Sequence, residues 1–341
     1  MRLVLIFFLA VSANAQESVR GDAFVLMDPR DSTELLGTFL ESPLVDGAAI
    51  RTSWAALQPE ADRFDWRLLD AQIETAGNAR KHLTLHILAS GYAAPPAWVL
   101  ERGVQTYPVH APNGISRNEP LPWDPVFLAL WSDFVVSLAS HLAEVNPNGA
   151  VQNISVGVPV PEMSLVGCVA GVLSQSPNFI RYSRADYLNA WKSSIEAMHK
   201  ALPTLRKLVS APVGEICIPD HDGGAFYGEV ALFMMSLQEG RFAIFAADAN
   251  ANGSDRLANV APLTQKLPAA AQFIWSYSND PANRFQGPLQ QSVCATYNSY
   301  GVRYFEVYKD DLLNPDPQVR EAIASIHSLE QCVPPGPTAL Y

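Results

Sequence analysis

The sequence carries little charge and nowhere concentrates it. Charged residues make up 17% of 341, with Lys+Arg 23 against Asp+Glu 34 and a formal net charge of −11. No basic run occurs, which removes nucleic acid and anionic membrane surfaces as natural partners. Past the first few residues, no stretch reads as the ~20 consecutive apolar residues that a membrane span needs. No glycine-rich phosphate loop follows the first strand-like run, which argues against an open dinucleotide-binding sheet. The 7 His show no paired spacing on strand ends, and the 4 Cys contain no Cys-x-x-Cys. We therefore expect neither a metal centre nor a cofactor.

What is present is a large apolar fraction, 48% of residues, enough for an extensive core. The first fifteen residues carry Arg2, an apolar stretch from Leu3 to Val11, and the small-x-small pattern Ala13-Asn14-Ala15. That pattern predicts a cleaved secretory leader over 1–15, a chain starting near Gln16, and a secreted or periplasmic location. Four cysteines in an exported chain imply two disulfides.

Eight runs rich in Val, Ile and Phe recur to the end of the chain: 23–27, 48–54, 82–90, 151–160, 207–213, 241–248, 271–278 and 302–308. Helical stretches separate them, the clearest at 125–145, 184–202, 224–238, 287–300 and 317–331. Strict alternation over this length predicts an α/β fold, a single-domain (β/α)8 TIM barrel over 16–332, followed by a Pro-rich tail at 333–341. On that map Cys168 and Cys217 fall in neighbouring loops after strands four and five. Cys294 falls on the seventh helix and Cys332 just after the eighth, so the expected pairs are Cys168–Cys217 and Cys294–Cys332.

The second-strand segment AAIRTSWAALQPEADRFDWRLLDAQIETA presents Arg51, Trp54, Pro59-Glu60, Phe64-Asp65-Trp66 and Leu69-Asp70 in order, and HILASGYAAPPAWV follows. Over residues 47–100 this resembles the clan A glycoside hydrolases, in particular the β-galactosidase-like family 42 barrel. The resemblance implies hydrolysis of O-glycosidic bonds in an oligo- or polysaccharide, with an acid/base glutamate at the end of strand four. Glu162 stands there. It is preceded by Pro161 where the family has Asn, so an expected contact to the sugar 2-hydroxyl has no side-chain donor.

The resemblance also implies a nucleophile at the end of strand seven, where QFIWSYSND has no Glu; Ser276 or Ser278 occupies the place and Asp280 follows in the loop. Strand eight offers a substitute. In VRYFEVYKDD, alternation puts Phe305 and Val307 on one face and Tyr304, Glu306 and Tyr308 on the other, so Glu306 should point into the barrel. A carboxylate there must be paired, protonated or functional. We take Glu162 and Glu306 as the candidate catalytic pair, with Asp248 in reserve and Glu215, Asp220 and Asp222 as solvated loop acids. Arg51, Trp54, His86, Trp98, Trp275 and Tyr308 are candidate saccharide-binding residues, since strand ends form the mouth of such barrels and sugar faces stack on aromatic rings. The alternative is a non-catalytic carbohydrate-binding barrel, a pseudo-glycosidase that lost the strand-seven nucleophile.

Overall fold

The computed structural model describes residues 19–89, 95–110, 116–156, 183–210, 223–237 and 240–332. Eight parallel strands close into a barrel: β1 (Asp22–Met27), β2 (Gly47–Ser53), β3 (His82–Leu88), β6 (Val151–Ser155), β7 (Arg206–Ser210), β8 (Phe242–Ala249), β9 (Ala269–Phe273) and β10 (Tyr304–Tyr308). Their order round the barrel is β1-β10-β9-β8-β7-β6-β3-β2, so β2 returns to β1 and no edge is left open. This is the expected (β/α)8 barrel.

Each helix boundary has a local cause. Asp124 accepts from the Phe127 amide ahead of Pro125 at the first turn of the helix Pro125–Val145, and Ser183 does the same for Arg184–Ala201. The helix Leu289–Tyr300 ends at Gly301, whose φ of 69° suits a residue without Cβ. At the start of β2, a Cβ on Gly47 would lie 2.1 Å from the His82 carbonyl, so glycine is what lets β2 approach β3.

The strands are buried on both faces. Outward residues such as Ile50, Leu85, Phe305 and Val307 join the main core under the helices. Phe24, Leu26, Ala49, Leu208, Phe245 and Tyr304 form a second cluster inside the barrel. The expected alternation in β10 is therefore realised.

Three differences from expectation have physical reasons. A two-stranded antiparallel hairpin, β4 (Thr106–His110) with β5 (Ser116–Pro120), sits between β3 and the following helix. Strand seven, β9, starts at Ala269 and ends at Phe273, five residues short of the expected end, because Ser276, Tyr277 and Ser278 turn out of the sheet onto Asp311. The helix Pro125–Val145 has 21 residues and is apolar enough to meet the length and composition of a bilayer span. It instead packs on the barrel through Phe127, Trp131, Phe134 and Leu138.

Cys294 and Cys332 are joined, with Cα atoms 4.9 Å apart, tying the seventh barrel helix to the turn after the last one. The expected Cys168–Cys217 bond, the leader and the C-terminal tail lie outside the described residues.

Candidate functional site

At the C-terminal ends of the strands, a cavity of about 520 Å³ opens against β1, β2, β3, β9 and β10. Arg51, Trp275 and Tyr308, three of the expected binding residues, line it together with Asp28, Lys309 and Asp310. Its volume falls within the range of small-ligand sites. Arg51 is 7% exposed, and its Nη2 donates to Gln272 Oε1 at 2.7 Å. Because β2 and β9 are separated in the sheet by β1 and β10, this bond crosses the barrel interior. Gln272 Nε2 in turn donates to Tyr308 Oη at 3.1 Å. A chain of three side chains thus runs beneath the cavity.

Trp275 is 39% exposed, and its orientation is fixed. Its indole N–H donates to the Asn279 carbonyl at 2.9 Å. The Arg284 guanidinium lies 4.3 Å from the ring centroid, and the Tyr308 ring is 6.2 Å away. Also at the cavity, Lys309 Nζ bonds Asp28 Oδ2 at 2.8 Å and Asp31 Oδ1 at 2.7 Å. Burial works against the ammonium, but these two carboxylates outweigh it and hold the Lys309 pKa above its ordinary value.

Glu306 does point into the barrel, yet it does not reach the cavity. Both Glu306 and His86 are wholly buried, with Glu306 Oε1 2.7 Å from His86 Nε2. Tyr304 Oη is 2.7 Å from the same carboxylate oxygen and 2.8 Å from Thr84 Oγ1, which accepts from Asn153 Nδ2 at 3.0 Å. One hydroxyl has one proton. Tyr304 gives it to the carboxylate, Thr84 donates to Tyr304, and Asn153 donates to Thr84, so one line of donors ends on Glu306. The structure thus pairs the expected catalytic Glu306 with the expected saccharide-binding His86 inside the barrel, below the cavity described above.

The two indoles near strand two lie away from this cavity. Trp54 is fully buried, ringed by Trp98, Phe127, Trp131 and Phe134 at centroid distances of 5.4 to 6.1 Å. Trp98 stands edge-on to it and donates to the Gln58 carbonyl at 3.1 Å. Both hold the helices Trp54–Leu57 and Ala97–Leu100 to the barrel wall and neither lines the cavity.

The reserve acid Asp248 is engaged in the turn after its strand. Burial raises its pKa, and it accepts from the Ser254 hydroxyl and the Arg256 amide, bracing the turn after β8. Asp280 accepts from the Phe285 amide at 3.0 Å. Glu162, Pro161, Glu215, Asp220 and Asp222 lie outside the described residues. Among the described residues no group of three or more His, Cys, Asp or Glu could hold a metal ion.

Sequence reasoning missed Gln272, Asp28 and Lys309. Gln272 did carry a signal: it is the one polar residue of the strand AAAQF, at an inward position paired with Glu306.

Residues 48–144 match the glycoside hydrolase 42 family, described as β-galactosidase. Across the fold, the chain is similar to xylanase 10B from Thermotoga petrophila RKU-1, solved in complex with xylobiose. The TM-score is 0.52 at 10% identity, over 85% of this chain and 82% of the xylanase. The likeness to the glycoside hydrolase 42 family thus covers the second barrel strand to the helix Pro125–Val145, and the likeness to the xylanase is one of barrel fold.

Proposed function

We propose that this protein is an exported glycoside hydrolase that binds an oligo- or polysaccharide across the mouth cavity and cleaves an O-glycosidic bond there. The observation that carries the reading is the convergence of Arg51, Trp275 and Tyr308 on one cavity at the strand C-terminal ends, where barrel enzymes keep their sites. The indole and phenol offer flat faces for a pyranose ring, and the guanidinium offers hydrogen bonds to its hydroxyls. The family match and the xylanase neighbour, whose bound ligand is a disaccharide, support the same class of substrate.

In this reading Glu162 protonates the departing glycosidic oxygen and later takes a proton from water. Glu306 remains the expected second carboxylate, and Asp28 and Asp310 are carboxylates that line the cavity itself among the described residues. A second reading, saccharide binding without cleavage, is favoured by one observation: the inward group of strand seven is the neutral amide Gln272, held by Arg51, and not a carboxylate.

Turnover of aryl glycosides and of xylo- and galacto-oligosaccharides by the mature chain separates the two readings. Cleavage abolished by Glu162→Gln supports the hydrolase. Binding without cleavage in the parent supports the binding barrel.

A further inference from the structure

Asp311 belongs to the helix Lys309–Leu313, which continues directly from β10, and it is wholly buried. All of its side-chain hydrogen bonds reach over to the loop that follows β9. Its Oδ1 accepts from the Ser278 amide at 2.7 Å and from the Ser276 hydroxyl at 3.1 Å, and its Oδ2 accepts from the Tyr277 amide at 3.1 Å. Asn314, at the end of the same helix, donates to Ser278 Oγ at 2.7 Å. Four hydrogen bonds therefore tie the turn after the eighth barrel strand to three consecutive residues after the seventh.

That gripped turn lies between Trp275 and Asn279. Trp275, Ser276 and Asn279 all line the mouth cavity, and the Trp275 indole is itself bonded to the Asn279 carbonyl. The backbone between these two residues fixes the indole's plane, and a buried carboxylate fixes that backbone. We infer that Asp311 is a positioning residue of the site: by clamping Ser276–Ser278 it holds Trp275 as a rigid wall against which the saccharide lies. The inference rests on the saccharide reading of the cavity for its ligand, but the clamp itself is a property of the protein alone.

An ionised carboxylate suits the task because it only accepts, and the three groups facing it are two amide N–H donors and a hydroxyl. Burial raises the Asp311 pKa, with the hydrogen-bonding groups of Ser278, Tyr277 and Ser276 working in the opposite direction. Asn is nearly the same size but brings an NH2 donor against one of those amides, so Asp311→Asn breaks the clamp with little change in volume.

The test is a double-mutant cycle on the full mature chain, with p-nitrophenyl β-galactoside and xylobiose as the probes. Asp311→Asn is expected to weaken binding about tenfold, and Trp275→Ala by at least as much. The double variant is expected to bind no more weakly than Trp275→Ala alone, because Asp311 acts through the indole. Independent, additive losses would overturn the inference. The second readout needs no ligand: acrylamide quenching of the Trp275 fluorescence, taken as the difference from Trp275→Phe, should rise in Asp311→Asn. If neither probe binds the parent, the saccharide reading of the cavity falls, and unchanged quenching then overturns the clamp as well. Should Asp311→Asn fail to fold, Ser276→Ala with Asn314→Ala removes two of the four bonds, and the same two readouts apply.

Discussion

Glu306 shows how far a single residue can be read and where reading stops. Alternation in β10 was enough to turn its side chain inward, and the cost of a buried carboxylate was enough to demand a partner. The partner, His86, lies 220 positions earlier in the chain and meets it only because β3 and β10 face each other across a closed barrel. Depth was not legible, since a strand pattern does not say whether an inward group ends at the mouth or below it. The same holds for Trp54, whose place in the wall is a tertiary fact. Glu306→Gln should lower stability by about 1–3 kcal/mol, because the amide sets an NH2 donor among groups that donate to the carboxylate. Turnover per folded molecule should fall as well, while saccharide binding stays close to the parent's. Denaturant unfolding and assays normalised to folded protein check this, and turnover per folded molecule unchanged by the substitution would move the second role to Asp28 or Asp310.

At the scale of elements, the eight barrel strands were legible because each is a short, mostly buried run with apolar residues, recurring between helical stretches. The hairpin β4–β5 was not. Its second strand reads Ser-Arg-Asn-Glu-Pro, without the apolar alternation by which a strand is read. The register between the first and last elements also depends on a residue that the sequence did not single out. Asp46, just before β2, accepts from the Ala23 amide at 2.9 Å and from His327 at 2.9 Å, and it pairs with Arg20. Burial pushes its carboxyl up, but these partners outweigh burial and hold its pKa below the ordinary value. The folded state therefore favours ionised Asp46. Its contribution is complete above the ordinary carboxylate value and disappears as pH falls through the lowered one. Asp46→Asn should cost about 1–2 kcal/mol at neutral pH. The difference from the parent should close in acid, which thermal melts from pH 7 down to about 2.5 would follow.

The molecule as a whole combines a closed barrel, an acidic surface and a covalent link near its C-terminus. The Cys294–Cys332 bond spans a sequence separation of 38. Closing a loop of that length removes unfolded-state freedom, so Cys294→Ser with Cys332→Ser should lower stability by about 3–4 kcal/mol, measured by urea unfolding. Barrel, disulfide and mouth cavity were all within reach of the sequence, through strand rhythm, cysteine placement and strand-end residues. The composition of the cavity floor was not, because Arg51, Gln272 and Tyr308 come from three strands whose meeting depends on closure. The measurement that tests the central claim most directly is the hydrolysis rate of an aryl glycoside and oligosaccharide panel by the parent and Glu162→Gln. The account predicts turnover in the parent and a loss of about a hundredfold or more in the variant. A parent that binds these sugars at the Trp275 wall yet never cleaves them, or a Glu162→Gln enzyme as fast as the parent, would contradict it.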